Sequence, residues 1–332
     1  MGLHRIKRGL RLPISGEPSQ EIEAAKSPRR VALLGADYVG MRPTLKIKVG
    51  DTVRRGQLLF EDKKMPGVRF TSPAAGKIAA INRGEKRVFQ SVVVELSRTE
   101  IEGTTGSAEE VSYSAHTGKP PASLTEQDVR DLLIESGLWT AMRARPSSRV
   151  ANPADKPHSI FVTAMDSNPL APDVGKVMAG KESLFQGGLS VLAKLTEGPV
   201  YVCTDDKTQV QLPTGEQFRH EQFVGPHPSG TVGLHIHTLD PVDRNKVVWH
   251  LGYQDAIAIG YLFDTGKTTL ERVISLAGPG VTNPRLLRTR LGASTDDLVT
   301  DQLSEEEPRV ISGSVLAGRT AMGDRLGFLG RY

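Results

Sequence analysis

The sequence predicts a multidomain protein of the α/β and α+β classes, and three observations carry this prediction. Up to about residue 100, short β-rich runs alternate with Gly and Pro turns, without a long helical period. The middle of the chain has the β-α-β pattern typical of a parallel sheet. From Asp264 onward, short strands return around two short helices. We therefore expect domains at 1–110, 111–263 and 264–332.

The first domain is predicted to be a compact β domain. Its expected strands are Val31–Leu34, Thr44–Val49, Leu58–Glu61, Lys77–Ile81 and Ser91–Leu96. The segment 102–123 that follows is poor in large apolar residues and carries the Gly, Pro and Ser of a linker or long loop. It is the main domain boundary that the sequence predicts.

The second domain is predicted to be a parallel α/β domain that begins with a capped helix. Thr125 is the expected N-cap, Asp128 follows it by three residues, and Gly137 follows the last turn. The β-α-β unit comes next, with strand Ile160–Ala164, helical spacing over Leu184–Leu195 and strand Val200–Thr204.

The third domain is predicted to be a small α+β unit. Its expected strands are Arg272–Leu276 and Arg309–Ile311. Two short helices are expected to begin at Asn283-Pro284 and at Ser294, with Gly292 closing the first.

Composition excludes several classes of protein. With 38% apolar and 24% charged residues, the chain has an ordinary globular composition. Its longest apolar run, around Ala256–Phe263, is far shorter than the roughly 20 residues that cross a bilayer. The N-terminal segment lacks the continuous apolar stretch of a secretory signal, so a cytoplasmic location is expected.

The charge and the cysteine content limit which partners and cofactors are expected. The 42 basic and 38 acidic residues are interspersed, apart from a short acidic run at Glu305–Glu307, so no nucleic-acid partner is expected. Because Cys203 is the only cysteine, the chain cannot form an intramolecular disulfide or ligate an iron–sulfur cluster by itself.

The segments Val49–Leu59 and Ser72–Ile78 closely resemble the hammerhead of biotinyl/lipoyl carrier domains. In those carriers a modified lysine lies at the tip of a hairpin, and Lys63 and Lys64 superficially resemble the attachment sites. We expect Pro66-Gly67 to form the turn, which leaves both lysines on the preceding strand. No covalent lipoyl or biotinyl group is therefore expected.

The segment Leu133–Pro146 stands where the NADH- and FMN-binding flavoprotein subunits of related dehydrogenases, including complex I, carry a glycine-rich loop. Those loops need glycines because the backbone must approach the flavin phosphate closely. This chain keeps one glycine of that loop, Gly137. In place of the others it has Trp139, Thr140, Met142 and Arg143. We expect no bound FMN or FAD, and we interpret Trp139 and Met142 as core packing.

Two loops of the middle domain are candidates for ligand contact. The segment Gly225–Gly230 resembles a Pro-x-Gly turn near the nucleotide in the same relatives. Such a turn could present backbone N–H groups to an anion, or it could be purely structural. Asp166 and Asn168 follow the strand Ile160–Ala164, where an open α/β sheet places ligand contacts.

The histidines give no recognisable metal site. His235 and His237 are expected on one strand, where both would face the same side, with His220, His227 and His250 as possible further ligands. No carboxylate or thiolate completes a ligand spacing, so no metal is expected. Walker, Rossmann-fingerprint and nucleophile-elbow motifs are also missing from the sequence, so no catalytic residue is assigned.

Three features in order identify the family. A hammerhead is followed by a dinucleotide-type domain without its glycine-rich loop, and then by Ser275–Gly280 and Arg309–Gly313, which resemble the soluble ligand-binding β-grasp (SLBB) module. Together with Leu33–Arg42 and Phe70–Gly76, they identify the chain as a member of the A-subunit family of the sodium-pumping NADH:quinone oxidoreductase. The resemblance covers essentially the whole chain. Since family members continue past Tyr332, we expect a C-terminal truncation.

The resemblance implies a role in a six-subunit membrane complex. That complex passes electrons from NADH to ubiquinone through flavins and iron–sulfur centres of other subunits while it exports sodium. This chain would lie peripherally at the cytoplasmic face, in a complex with subunits B to F and in direct contact with the membrane-embedded B subunit. The basic segment Arg5–Arg11 suits anionic lipid or an acidic partner face, and equally a solvated tail.

Ubiquinone, the implied substrate, needs an apolar cleft with one or two hydrogen-bond donors for its carbonyl oxygens. The candidate contacts for quinone or an anion are His227, Ser229, Gly230, Asp166 and Asn168. Two alternatives stay open: a self-sufficient NADH-dependent flavoenzyme, and a purely structural assembly module.

Overall fold

The chain folds into two compact units in a computed structural model that describes residues 2–304 and 308–332. The acidic run at Glu305–Glu307 lies outside the described residues. One unit, here the α/β unit, consists of Met1–Pro13 and Tyr113–Thr269. The other, here the β unit, consists of Ile14–Ser112 and Leu270–Tyr332.

The strands in chain order are Gly2–Arg5 (β1), Ser19–Ala24 (β2), Arg30–Leu34 (β3), Pro43–Leu45 (β4), Thr52–Val53 (β5), Leu58–Asp62 (β6), Arg69–Thr71 (β7), Gly76–Arg83 (β8), Phe89–Leu96 (β9), Arg143–Arg145 (β10), Arg149–Val150 (β11), Ile160–Ala164 (β12), Val200–Thr204 (β13), Phe218–Val224 (β14), Val248–Gly252 (β15), Glu271–Leu276 (β16), Arg285–Arg290 (β17), Ile311–Ser312 (β18) and Arg319–Thr320 (β19). The α-helices are Arg98–Glu102 (α1), Glu126–Glu135 (α2), Val174–Met178 (α3), Glu182–Leu192 (α4), Val232–Leu239 (α5), Tyr253–Thr265 (α6), Thr295–Val299 (α7) and Gly323–Leu326 (α8).

The α/β unit is built on a mixed sheet with the order β1-β14-β13-β12-β15-β10-β11. The strands from β1 to β15 in this order run parallel to one another, whereas β10 is antiparallel to both of its neighbours, β15 and β11. Ile160 and Phe161, which point to opposite faces of β12, are both fully buried, so both faces of the sheet are covered. The predicted parallel sheet is confirmed.

Helices α4 and α6 pack together through glycines. A Cβ on Gly188 would overlap the carbonyl oxygen of Ala256, and one on Gly260 would overlap that of Leu184. The missing side chains let the two backbones approach closely. Helix α5 instead inserts Ile236 into a buried cluster with Phe161 of β12.

Helix α2 begins as the sequence predicts. The Thr125 side chain accepts a hydrogen bond from the Asp128 backbone N–H, and the Asp128 carboxylate accepts one from the Thr125 N–H, which completes a capping box. Gly137 follows the last turn in the left-handed region, at φ 77°. Both ends of this helix are therefore encoded locally.

The β unit contains two facing groups of strands, β3-β9-β8-β5 and β4-β6-β7. Phe60 of β6 meets Phe89 of β9 in the core, with ring centroids 5.2 Å apart, so the two groups pack against each other. The expected strands of this region are present, although the one predicted at Thr44–Val49 is shorter and ends at Leu45. Two further sheets, β16-β17-β2 and β18-β19, belong to the described part of the same unit.

The helix predicted after Asn283-Pro284 is wrong, because this segment forms strand β17. β17 lies between β16 and β2 and pairs with both. Leu286 and Leu287 are both buried, so neighbouring strands outweigh the local helix-start signal. The second predicted helix is confirmed, since the Ser294 side chain accepts a hydrogen bond from the Asp297 N–H at the start of α7.

Among the described residues, no helix combines the length and the apolar character needed to cross a bilayer.

Candidate functional site

The candidate contacts lie at the carboxyl ends of parallel strands in the α/β unit. Asp166 and Asn168 follow β12, and Gly225–Gly230 follows β14. Although β13 separates these strands, their loops meet, because the backbone N–H of Gly230 donates to Ser167 Oγ at 2.8 Å. A Cβ on Gly230 would lie 2.5 Å from the Ser167 nitrogen, so only glycine permits this approach.

Ser167 also contacts His227 through the Nδ1 atom of the ring. Ser167 Oγ lies 3.1 Å from His227 Nδ1. The hydroxyl accepts a hydrogen bond from Gly230 and has one hydrogen of its own to donate. In the tautomer in which it donates this hydrogen to Nδ1, His227 carries its proton on Nε2. The ring is half-buried at the strand ends.

The turn after β14 uses its own backbone donors. The Ser229 N–H donates to the Pro226 carbonyl at 3.0 Å, and the Thr231 N–H donates to the Pro228 carbonyl at 2.9 Å. The Gly230 N–H is held by Ser167. The N–H groups of Ser229, Gly230 and Thr231 therefore have partners within the chain, and contact of this turn with an anion stays a prediction.

Ser229 faces inward. Its hydroxyl donates to the Gly225 carbonyl at 3.0 Å, and only 1% of the residue is exposed. Its own carbonyl accepts a hydrogen bond from His235 Nε2 at 2.7 Å. Ser229 thus shapes the turn that carries His227.

His235 anchors this turn as a neutral ring. It is fully buried on α5 and lies against Phe223, with ring centroids 4.2 Å apart. Burial lowers the pKa of His235 to about 4, against the opposing effect of its hydrogen bond to Ser229. At neutral pH its Nε2–H is therefore a fixed donor to the turn.

Asp166 and Asn168 bond to each other. Asp166 Oδ1 accepts from the Asn168 backbone N–H at 2.9 Å and from its side-chain amide at 2.7 Å. The Asp166 carboxylate is exposed. These two residues fix the loop that holds Ser167 beside His227.

The basic N-terminal segment is ordered against the same turn, so it is not a solvated tail. β1 pairs with β14, and the Leu10 N–H donates to the His227 carbonyl at 2.8 Å. The side chains of Arg5, Lys7, Arg8 and Arg11 are exposed, and Leu10 and Leu12 are exposed among them. Cationic and apolar side chains therefore lie next to the turn.

The expectation that His235 and His237 share a strand face is wrong. Both lie on helix α5, where residues two apart point in different directions. His235 is buried, whereas His237 is exposed. Across residues 2–304 and 308–332, no three His, Cys, Asp or Glu residues are grouped closely enough to hold a metal ion.

The segment Leu133–Pro146 packs into the core around Trp139. Trp139 and Met142 are fully buried, which confirms the packing interpretation. Trp139 Nε1 donates to the Ala151 carbonyl at 2.7 Å, and its ring meets Trp249 edge-on at 5.5 Å. The side chains that replace the glycines therefore fill space.

Lys63 and Lys64 lie in the hairpin turn, so their predicted position on the strand is wrong. Strand β6 ends at Asp62, and the buried Asp62 carboxylate accepts from the backbone N–H groups of Lys64 at 2.9 Å and of Arg42 at 3.1 Å. This side chain starts the turn before Pro66-Gly67. The absence of a lipoyl or biotinyl group stays a prediction, which intact-mass measurement tests.

Family models match three parts of the chain in order. They describe an NqrA N-terminal barrel-sandwich hybrid domain at residues 4–97, an NqrA second alpha/beta domain at 124–268 and an NQRA C-terminal domain at 273–323. The first two agree with the facing β strands and the parallel α/β sheet observed here.

Named relatives match nearly the full chain. The A subunit of the Na(+)-translocating NADH-quinone reductase of Cellvibrio japonicus is 50% identical over 328 residues, which are 99% of this chain and 71% of the relative. Its counterpart from Saccharophagus degradans is 51% identical over the same shares. The counterpart from Alcanivorax borkumensis is 50% identical over 96% of this chain and 69% of its own.

At such identity over nearly all of this chain, with three matching domain models in the same order, the relationship is one of common descent and confirms the sequence-based identification. The chain belongs to the A-subunit family of the Na(+)-translocating NADH-quinone reductase.

Proposed function

We propose that this chain serves as the peripheral A subunit of a sodium-pumping NADH:ubiquinone oxidoreductase and helps to bind ubiquinone through His227. The names of its relatives support the first part. The second part rests on one observation, the contact of 3.1 Å between Ser167 Oγ and His227 Nδ1, which makes Nε2 a hydrogen-bond donor when the hydroxyl donates to Nδ1.

His227 would act on a quinone carbonyl oxygen. A fixed N–H donor would bind this oxygen in the oxidised quinone, and it would also stabilise the negative charge that reduction builds there. Ser167 and Gly230 are positioning residues, since they hold the ring and its tautomer. Ser229, Asp166 and Asn168 support the two loops, and the exposed leucines at Leu10 and Leu12 offer apolar surface beside them.

Electron carriers belong to other subunits in this proposal. We assign no FMN, FAD, iron–sulfur cluster or covalent lipoyl or biotinyl group to this chain. The proposed partners are subunits B to F, with the membrane-embedded B subunit in direct contact at the cytoplasmic face. The exposed cations at Arg5, Lys7, Arg8 and Arg11 suit such a place beside a membrane.

The proposal also includes an assignment of three domains to known structural types. It assigns 1–110 to a carrier-like hammerhead, 111–263 to a Rossmann-like domain related to the flavoprotein of complex I, and 264–332 to an SLBB-like unit. The strand order supports the second assignment, because β13 and β14 extend the sheet on one side of β12 and β15 on the other, as in doubly wound folds.

Complex membership is tested by purification. The tagged protein, expressed at full length in its native host, should co-purify with five other subunits and with sodium-stimulated NADH:quinone reductase activity. A yellow protein that purifies without partners would support the flavoenzyme alternative instead.

The quinone role is tested in that purified complex with His227→Ala. Loss of one hydrogen bond to a carbonyl costs about 1 kcal/mol, so the KM for ubiquinone should rise roughly fivefold. NADH oxidation with an artificial acceptor should not change. His237→Ala, on the exposed side of α5, is the matched control. An unchanged KM in His227→Ala would remove His227 from the site and favour a structural module.

Ser167 gives a second test of the same idea. Ser167→Ala removes the hydrogen that fixes the His227 tautomer and should raise the KM by a smaller factor. Ser167→Thr keeps the hydroxyl and should restore the KM. If Ser167→Ala and Ser167→Thr behave alike, the hydroxyl does not position His227.

A further inference from the structure

A second polar cluster of the α/β unit lies on strands β10 and β15, away from the His227 turn. In the antiparallel register Arg143 stands opposite His250, and Arg145 stands opposite Val248. Since side chains alternate along a strand, Arg143, Arg145 and His250 all project from the same face of the sheet. The intervening pair, Ala144 and Trp249, projects from the other face.

Arg145 leans across to His250. Its Nε–H donates to His250 Nε2 at 3.3 Å, which is a diagonal contact between neighbouring strands. The accepting nitrogen must be unprotonated, so the His250 ring is neutral with its hydrogen on Nδ1. Burial, and then the charges of Arg145 and Arg143, lower the pKa of His250 to about 3, in agreement with this assignment.

Arg145 has no anionic partner among the residues that the structure describes. Its guanidinium is half-buried, and among the described residues its side chain has one hydrogen bond, to the neutral ring of His250, and no ion pair with a carboxylate. Burial and the neighbouring Arg143 both lower the pKa of Arg145. Both effects disfavour the charged form of this side chain.

Three other arginines that are buried or half-buried are compensated. Arg55 and Arg290 both bond to the Glu100 carboxylate. Arg130 bonds to Glu126 and to two backbone carbonyls. Arg145 differs from these three, because no described residue accepts a hydrogen bond from its Nη groups. Such a guanidinium costs stability unless an external anion offsets it.

We propose that Arg145 and Arg143, with His250 behind them, form a binding site for a phosphate-type oxyanion. The two Nη groups of Arg145 form a planar fork that matches two oxygens of such an anion. Arg143 is held beside this fork by its own bonds from Nε and Nη2 to the Ser148 carbonyl, at 3.3 and 3.2 Å. The neutral His250 orients the Arg145 guanidinium without competing for the anion.

This site stands apart from the proposed quinone contact, because strands β13 and β12 lie between β14, which the His227 turn follows, and β15 and β10, which carry the site. Its ligand is free phosphate or the phosphate of a small ester, and both share the chemistry that two guanidinium groups recognise.

The test is calorimetric titration of the full chain with inorganic phosphate, and separately with glycerol 3-phosphate, in a chloride buffer of constant ionic strength. Wild type should bind at least one of the two, and the tighter ligand identifies the source of the phosphate. Arg145→Gln should weaken that binding at least tenfold. The matched control is Arg149→Gln on the same hairpin, where Arg149 is exposed and stands opposite Ala144, and it should bind like wild type.

Thermal unfolding without phosphate separates a binding role from a structural one. An anion-binding arginine lowers the stability of the protein when no anion is bound. Arg145→Gln should therefore melt at or above the wild-type temperature. Phosphate should raise the melting temperature of wild type and of Arg149→Gln only. A lower melting temperature of Arg145→Gln in the absence of phosphate, or equal phosphate binding by Arg145→Gln and wild type, would overturn the proposal. So would the failure of wild type to bind either ligand.

Discussion

Arg290 Nη1 donates a hydrogen bond to Glu100 Oε2 at 3.0 Å and so joins two residues that lie 190 positions apart in the chain. The same carboxylate accepts two bonds from Arg55, at 2.9 and 2.7 Å, and one from the Ala75 N–H at 2.8 Å. Within the β unit, Glu100 therefore ties strand β17 to the strands of the hammerhead.

Glu100→Gln should destabilise the β unit. The change removes the carboxylate that Arg290 and Arg55 share, while Arg55 keeps Glu110 at 4.0 Å. Breaking a buried ion pair from one side costs about 3 kcal/mol. Urea-dependent amide hydrogen exchange of peptides from β9 and β17 measures this loss. Glu102→Gln is the control, since that exposed residue forms its ion pair with the exposed Arg98. If both variants exchange alike, the Glu100 cluster does not stabilise the unit.

The same carboxylate predicts an acid transition of the β unit. Burial alone would raise the pKa of Glu100, but the hydrogen bond from Arg55, the charge of Arg290 and the Ala75 N–H lower it to about 2 from the ordinary value of 4.5. The folded carboxylate thus binds its proton more weakly than the unfolded one. Its contribution is complete above about pH 4.5 and is lost as the pH falls towards about 2. Glu100→Gln should have a flatter stability profile in this range, measured by the same exchange experiment.

His235 should make the α/β unit lose stability on acidification, at a higher pH than the acid transition of the β unit. The unfolded histidine takes up a proton near pH 6.5, whereas burial keeps the folded one neutral until about pH 4. Unfolding therefore takes up a proton in this range, and stability falls as the pH decreases through it. His250, whose pKa is also lowered, adds to the slope.

Tryptophan fluorescence reports this transition selectively, because the only tryptophans of the chain, Trp139 and Trp249, both lie in the α/β unit. The measured quantity is the urea midpoint between pH 7 and pH 4. His235→Gln should flatten its dependence on pH, whereas the exposed His237→Gln should follow wild type. A slope unchanged in His235→Gln would mean that other groups cause the acid sensitivity.

The contact between α4 and α6 predicts opposite effects for two adjacent glycines. Gly188→Ala forces a Cβ into the Ala256 carbonyl and should cost about 1–3 kcal/mol or more. A Cβ on Gly187 meets its nearest atom, the Gly260 Cα, at 3.8 Å, so Gly187→Ala fits. It should be neutral or stabilise by up to about 1 kcal/mol, because alanine favours helix. Urea unfolding followed by tryptophan fluorescence compares the two, and equal destabilisation would contradict the close helix contact.

Features with local causes were predictable from the sequence. The capping box of Thr125 and Asp128 needs only residues three apart, and the helix begins where that pair predicts. The strands Ile160–Ala164 and Val200–Thr204 were found with their observed bounds because continuous apolar runs of this length fit a sheet buried on both faces.

Features with distant causes were missed. Strand β17 carries a helix-start signal, but its leucines are buried by strands β16 and β2, whose nearness the sequence does not show. Ser167 lay between two named candidates and was overlooked, because its partners His227 and Gly230 stand about sixty residues further along the chain. The only sequence signal for it was a small residue after a buried strand, which is too common to select it. His235 and His237 are two residues apart, a spacing that occurs in strands and helices alike, so the sequence did not reveal helix α5.

The way the two units share the chain sets the order in which they can be completed during synthesis. The β unit begins at Ile14 but lacks strands β16 and β17 until the ribosome has passed Arg290, after the whole α/β unit has been made. At ordinary elongation rates the delay after Ser112 is on the order of ten seconds. Until then Arg290 is not present to bond with Glu100. A chain that stops between Thr269 and Arg290 thus contains all of the α/β unit but only part of the β unit.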